Sequence, residues 1–590
     1  MRIVKTERKD FQKMLKLFGY LKNYRREAVL GPLGKLLEAV FELIVPVVMA
    51  RMIDVGIANG DRAYIMRTCV ILVALGVLGL AASLTAQFFA AKAAVGFGTE
   101  LRQALFAHIN TLSHSEIDRA GSATLVTRMT ADINAAQTGV NMLLRLFLRA
   151  PFIVVGAVVT ALTISVRLTL IFLVFTPIMW AVIYYVTKKT VPMYKDIQKK
   201  LDRTTLITGE SISGVRVIRA FSRQADERER FEQSTADLMD MQLMAGRASA
   251  LMSPVTYVLV NIAIMLIIWF GGIQVNAGGL TQGEVMALVN LMTQVLLSLI
   301  RLAELILSLT KAQASSHRIL EVFAMQPSVT EGERELVPDK EAPAVEFRNV
   351  TFGYVDSERN ALDDISFSVP RGETVGIIGG TGCGKSTLVN LIPRLYDVKS
   401  GAVLVGGRDV RECTFESLRG RIGIVPQKAV LFGGTVRENM QWRDENACDE
   451  DIEAALHIAQ ADFVFEKQGG LDFRIEQAGR NLSGGQRQRL TIARALVGKP
   501  DILILDDSAS ALDLATDAAL RKAITARTRG MTVFIVSQRV SSIRNADKII
   551  VLEDGHIAGM GRHHQLIESC AVYREICRSQ LTGEEVRGNG

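Results

Sequence analysis

The stretch VGIIGGTGCGKSTLVNLI, Val375 to Ile392, decides how the second half of this chain folds. Gly379, four residues, then Gly384-Lys385-Ser386 form the P-loop pattern, with an apolar strand before it and a helix opening after it. Gly379, Gly380, Gly382 and Gly384 let backbone N–H groups close around a phosphate, and the helix N-terminus adds a favourable dipole. Lys385 is placed to reach the β and γ phosphates, and the Ser386 hydroxyl to bind magnesium. Thr381, Cys383 and Thr387 complete the loop, with Cys383 as a tolerated small residue rather than a redox device. The loop calls for ATP and Mg2+ inside an α/β domain.

Downstream, the apolar run Ile502 to Leu505 ends in Asp506 and Asp507. A strand that delivers a carboxylate to its end suits the magnesium of a bound nucleotide, so Asp506 is expected to hold the metal with Ser386. The bland alternative is a buried strand ending in a turn.

Upstream, the chain changes character. It has 590 residues, 49% of them apolar, and a mean hydropathy of +0.24. That length holds two or three domains, and the positive hydropathy points to a membrane. A net charge of +7 and a pI near 9.0 are compatible with nucleic acid. The basic residues form no single patch, however, and bilayer proteins carry excess Lys and Arg at their cytoplasmic face, so no nucleic-acid partner is expected. Cys69, Cys383, Cys413, Cys448, Cys570 and Cys577 have no zinc-like spacing and read as free thiols in a reducing compartment.

Residues 1–27 have no signal-peptide pattern and read as a basic amphipathic elbow segment on the inner membrane surface. Six apolar stretches follow, near 28–53, 68–91, 141–165, 168–187, 249–274 and 285–308. Each approaches the ~20 residues of a helical crossing. Short and long connections alternate, and the long ones are basic, so the positive-inside rule puts both long loops and both chain ends in the cytoplasm. The expectation is a multidomain chain: an α-helical six-span transmembrane domain over 28–310, a polar linker over 311–343, and an α/β P-loop nucleotide-binding domain over 344–590.

Lys35, Glu38 and Glu42 share one face of the first span. Charges at membrane depth face a cavity or each other. With Gln294 and Arg301 in the sixth span they are candidates for cargo contact; a structural Lys35–Glu38 pair, or snorkelling, is the equal alternative. Arg145, Arg149 and Glu304 carry the same ambiguity.

Between the P-loop and Asp506 lies NLSGGQRQRLTIARAL, Asn481 to Leu496. Here the chain resembles the ATP-binding-cassette (ABC) family, because Leu482-Ser483-Gly484-Gly485-Gln486 matches its signature motif without a change. By the same resemblance Tyr354 is the aromatic that stacks on adenine, Gln427 is the Q-loop glutamine near the metal and the attacking water, and Ser510-Ala511-Leu512-Asp513 is the D-loop. Six spans ahead of a cassette resemble a half-size ABC exporter, and GVRVIRAF, Gly214 to Phe221, fits that family too. That loop and the one near 112–132 would carry the short helices that dock on the cassettes. The resemblance implies two cassettes meeting head to tail, each ATP held between one chain's P-loop and the other chain's signature.

The departures from that pattern are informative. Asp507 stands where the family has its catalytic glutamate, and Gln538, in IVSQRVSS, where it has a switch histidine. One methylene fewer draws the carboxylate back by about 1.5 Å, a displacement that can cost on the order of 100-fold. Gln538 can still donate to a phosphate but cannot titrate. Gln477 falls where many exporters have a glutamate that contacts the coupling helices. The first two changes weaken the half-site of this chain's own P-loop, while its signature, which serves the opposite site, is intact. The chain therefore resembles the degenerate-site subunit of bacterial heterodimeric multidrug exporters. Its expected partner is a second half-transporter with the glutamate, the histidine and an altered signature; its expected cargo is an amphipathic or hydrophobic small molecule crossing a bacterial cytoplasmic membrane. A homodimer with Asp507 as the working acid, a siderophore-type importer of exporter-like fold, and a nucleotide-gated regulator remain alternatives.

Overall fold

The computed structural model describes residues 17–355, 357, 359–508, 511–527 and 530–580. It separates into two compact units: the described residues of Met1–Asn110 with Ser122–Met325, and Thr111–Gly121 with the described residues of Gln326–Gly590.

The first unit is helical. Among the described residues, five helices are long and apolar enough to cross a bilayer: Arg62–Thr111, Ser122–Ile164, Val166–Ser213, Gln224–Asn276 and Gln282–Phe323. At 1.5 Å per residue the 50-residue helix Arg62–Thr111 is about 75 Å long, more than twice the ~30 Å hydrocarbon core. The expected first span lies on a sixth helix, Arg25–Arg51, which is absent from that set because every 18-residue window of it carries at least three charges. These charges face one another. Lys35 is buried and donates to Glu38 at 2.5 Å and to Ser83 at 3.0 Å, while buried Arg149 donates to Glu42 at 2.7 Å and lies 3.7 Å from Glu38. Gln294 donates to the Glu42 carbonyl oxygen at 3.1 Å. Arg301 and Glu304 are exposed.

Small residues let these helices approach closely, as they must where apolar surfaces have no water to escape. A Cβ added at Gly34 would lie 2.8 Å from the Ala86 Cβ, and one at Gly139 only 2.2 Å from that of Ala312. Lipid-facing positions stay uncovered: only 6% of the apolar window of Arg62–Thr111 is buried within the chain.

Residues 1–16 of the elbow lie outside the described residues; of the rest, Phe18–Tyr24 is a short 3-10 helix and Arg25 opens the first-span helix. One boundary differs from the sequence reading. The linker expected from residue 311 begins later, because the last membrane helix runs on to Phe323. Buried Ala312, Ser315, Ser316 and Ile319 keep that helix packed, and Arg318 pairs with buried Asp132.

The second unit is α/β. Its central sheet runs in the order His556–Gly561, Lys548–Glu553, Thr374–Gly379, Thr532–Val536, Ile502–Asp506 and Ile422–Val425. All pairs are parallel except the hairpin at the first edge. Thr374–Gly379 and Ile502–Asp506 are buried almost throughout, so their near-continuous apolar runs are what a two-sided core requires. A four-stranded antiparallel sheet, Leu362–Val369, Val345–Phe352, Ser400–Val405 and Arg408–Asp409 in spatial order, closes over one face. The short loop helix His114–Ala120 belongs to this unit, with Asp118 accepting from the buried Tyr396 hydroxyl at 3.0 Å.

Candidate functional site

Three neighbouring parallel strands end together. Thr374–Gly379 leads into the P-loop, Thr532–Val536 into Ser537-Gln538, and Ile502–Asp506 into Asp507. Carboxyl ends of parallel strands are where α/β sheets hold ligands. A cavity of about 660 Å³ opens there, lined by Tyr354, Thr381, Gly382, Gly384, Lys385, Ser386, Thr387, Gln427, Asp506, Asp507 and Gln538 among others.

The loop needs its glycines. Gly382 and Gly384 have φ of +83° and +97°, a backbone side chains resist, and a Cβ on Gly384 would come within 2.5 Å of the Ala361 carbonyl oxygen. Lys385 is buried and donates to the carbonyls of Gly379 and Gly380 at 3.0 and 2.5 Å. Ser386 donates to Asp506 at 2.9 Å. Ser386, Asp506 and Gln427 give the cavity hard oxygen donors, the set that suits magnesium. No group of three or more His, Cys, Asp or Glu that could cage a metal occurs among the described residues.

The two aspartates part at the backbone. Asp507 sits at φ +46°, in the left-handed region, and accepts from Gln427 Nε2 at 3.5 Å. Burial pushes the Asp506 carboxyl above its ordinary value; the charge of Asp507 adds to this, while Ser386 and Lys385 oppose it. Burial also pushes Asp507 up, against Gln427, Lys385 and Arg539. Gln538 is exposed at the cavity wall.

Tyr354 stands at the mouth, its hydroxyl 3.0 Å from that of Thr387, its ring edge-on to Tyr396 at 5.5 Å. Gly379, Gly380 and Cys383 do not line the cavity. Gly379 packs against the Leu552 carbonyl, the Gly380 carbonyl accepts from Lys385, and Cys383 is buried behind the loop. Ser357, Arg359, Asn360, Asp554 and Gly555 line the cavity without belonging to any motif. The Asp554-Gly555 pair was legible only as a hairpin turn.

The signature segment lies elsewhere on the unit. Ser483 caps the helix Gly484–Leu496 in a reciprocal box with Gln486, and Leu482 is buried. A Cβ on Gly485 would sit 3.2 Å from the Ala511 carbonyl oxygen, so signature and D-loop abut. Leu512 is buried, and Asp513 accepts from Thr516; Ser510 lies outside the described residues. None of Leu482 to Gln486 lines the cavity. Gln477 borders a separate groove with the stacked rings of Phe432 and Trp442.

With this geometry in hand, comparison with known proteins is direct. Residues 29–299 match the ABC transporter transmembrane region, and residues 362–510 match the ABC transporter family. An uncharacterized ABC transporter ATP-binding protein of Mycobacterium tuberculosis is 36% identical over 575 residues, covering 97% of this chain and 99% of its own length. The ATP-dependent lipid A-core flippase of Photorhabdus laumondii is 30% identical over 577 residues, covering 97% of this chain and 98% of its own. A bacterial Atm1-family ABC exporter solved with ATP bound shares the fold, with a TM-score of 0.79 at 24% identity over 95% of this chain and 99% of that one.

Proposed function

The chain belongs to the ABC transporter family as an exporter-type half-transporter, and from that membership we propose that it is the degenerate-site subunit of a heterodimeric exporter. ABC exporters work as dimers in the membrane, driven by ATP. In this reading Lys385 and the loop N–H groups hold the phosphates, and Ser386 and Asp506 hold the metal with help from Gln427. Magnesium, when bound, neutralises charge that develops on the transferred phosphoryl group. Tyr354 stacks on the base. Asp507 receives the proton of the attacking water over a short reach, and Gln538 donates to the terminal phosphate without a positive charge. Hydrolysis at this chain's P-loop is slow.

The observation that carries this reading is the pairing of Asp507 and Gln538 in one cavity, both departing from the residues that make a fast site. The signature, which the cavity does not use, keeps every family position and completes the partner's site. Residues 1–27, 28–323, 324–343 and 344–590 take the roles of elbow, transmembrane domain, linker and cassette, with both termini in the cytoplasm. The cargo is an amphipathic or hydrophobic molecule, as the lipid substrate in the name of the Photorhabdus relative suggests.

The test is ATP turnover in lipid nanodiscs, for this chain alone and co-expressed with a second half-transporter encoded beside it. Negligible turnover alone and robust turnover together is the expected result. Robust turnover by a stable homodimer overturns the heterodimer and makes Asp507 a competent base. A carboxyl raised by burial gives that second reading its physical footing, since a base works best when its pKa approaches the working pH.

A further inference from the structure

The loop that carries Gln538 is held from two sides. Ser537 and Gln538 follow the strand Thr532–Val536, and a one-turn helix, Val540–Ile543, starts two residues later. Its N-cap residue, Arg539, provides no side-chain cap, so the first N–H groups of that helix need partners from elsewhere. On one side the helix Leu514–Arg527 holds other groups of that turn: Arg521 donates to the Ser541 carbonyl at 2.8 Å, and Asp517 accepts from the Ser542 hydroxyl at 3.2 Å. On the other side stands the helix Ala571–Gln580. Its final described residue, Gln580, donates from Nε2 to the Gln538 carbonyl at 2.7 Å. The same amide accepts from the Val540 N–H at 2.9 Å.

One planar amide thus closes on both sides of a single backbone step, as a neighbouring strand would. The packing of that helix does not depend on it. Tyr573 and Cys577 are fully buried in a cluster with Ile378, Val540 and Ile543, whereas Gln580 is exposed. The helix is anchored by its apolar face, and Gln580 reaches from its end to the loop.

We propose that Gln580 is a positioning residue of the nucleotide site: by clamping the backbone at Gln538 and Val540 it aims the Gln538 side chain into the cavity, toward the terminal phosphate. The inference rests on the reading of that cavity as an ATP site. A neutral, flexible glutamine at position 538 makes the clamp matter more, because no charge attracts it to the phosphate. The clamp acts through Gln538 alone, so it affects ligands that carry a third phosphate and spares those that do not.

The experiment measures equilibrium binding of radiolabelled ATP and ADP, each with magnesium, to the full-length chain in lipid nanodiscs. Gln580→Met keeps the length of the side chain and removes both bonds. It is expected to weaken ATP roughly fivefold, the effect of about one net hydrogen bond, and to leave ADP unchanged. Gln580→Glu keeps the acceptor for Val540 and loses the donor to Gln538, so it is expected to retain part of the ATP selectivity; it also serves if the methionine variant is poorly folded. In a Gln538→Ala background, Gln580→Met is expected to add nothing further. Equal weakening of ATP and ADP, or effects that add in the double variant, overturns the proposal in favour of a purely structural role. Lys385→Ala checks the cavity separately. ATP binding that survives it overturns the nucleotide reading itself, whereas binding lost in Lys385→Ala but unchanged in both Gln580 variants overturns the clamp alone.

Discussion

Asp506 and Asp507 are adjacent in sequence, yet the left-handed turn at Asp507 sends one carboxylate to Ser386 and the other to Gln427. An L-residue in that conformation costs on the order of 1–2 kcal/mol, and aspartate is among the side chains that tolerate it. The turn therefore separates two chemical duties within two residues. If reach limits Asp507, then Asp507→Glu with Gln538→His should raise turnover at this chain's site by on the order of 100-fold. Single-turnover assays on the purified chain would read this directly, and an unchanged rate would show that reach is not the limit. Acid should act through Asp506. Its carboxyl is raised, first by burial and then by the charge of Asp507. It therefore takes up a proton at a higher pH than the ordinary aspartate value near ~3.9. Protonation removes the charge that holds magnesium, so Mg-ATP affinity should fall on acidification and begin to do so above that ordinary value. For folding the sign is opposite: a raised carboxyl contributes stability below its unfolded pKa and loses it as pH rises through the folded one. Binding isotherms that coincide down to pH ~4 would refute the assignment of Asp506 to the metal.

Among the elements of the second unit, the loop helix His114–Ala120 is tied to the mouth of the nucleotide cavity through the cassette aromatics. Ser113 and Glu116 cap the helix reciprocally, and Ser113 and Glu116 also bond Val329 and Ser328 of the following linker. Tyr396 joins Asp118 to Tyr354 at the cavity mouth. Tyr396→Phe keeps the ring contacts and removes the hydroxyl bond. Amide exchange across residues 114–120 should then accelerate about tenfold, the effect of one net hydrogen bond to a charged acceptor at the low end of its range. Unaltered exchange would mean that the aromatic contacts alone hold the helix. The resemblance placed a cassette-docking helix near 112–132, but the side-chain partners were not legible, because Tyr396 belongs to no motif and Asp118 is one charge in a polar loop. The P-loop, the strand into Asp506 and the signature were legible because phosphate and metal chemistry demands particular residues at fixed spacing. Apolar runs of about 20 residues marked the membrane helices for an equally general reason. Side-chain pairing was legible only within the helix: periodicity offered the Lys35–Glu38 pair, but only three-dimensional packing brings Arg149 to Glu42 and Ser83 to Lys35. The late end of the last membrane helix was missed because its polar residues, Ser315, Ser316 and Arg318, are buried or paired rather than solvated.

At the scale of the whole molecule, the cavity and the signature lie on different parts of one cassette, so that in the proposed head-to-tail dimer each chain offers half of two different sites. In an exporter dimer this makes the two halves of one polypeptide separable by mutation. Lys385→Ala in this chain disables only the site built on its own P-loop. If that site is already slow, turnover of the assembled heterodimer should keep at least about half its wild-type value. Ser483→Ala combined with Gly485→Asp alters the signature without touching the cavity, and it places a carboxylate where the partner's terminal phosphate must sit. Anion against anion in a desolvated interface costs several kcal/mol, so turnover should fall by 100-fold or more. The same pair of changes in the partner should show the reverse pattern: its P-loop lysine indispensable, its signature nearly dispensable. A homodimer would respond alike to both kinds of change, because either lesion would be present at both sites. ATPase assays on the four single-chain variants, with both chains present and their assembly checked by size, therefore separate the two architectures. Equal sensitivity to Lys385→Ala and to the signature variant would remove the asymmetry on which the heterodimer rests, leaving a symmetric exporter in which Asp507 does the work at both sites.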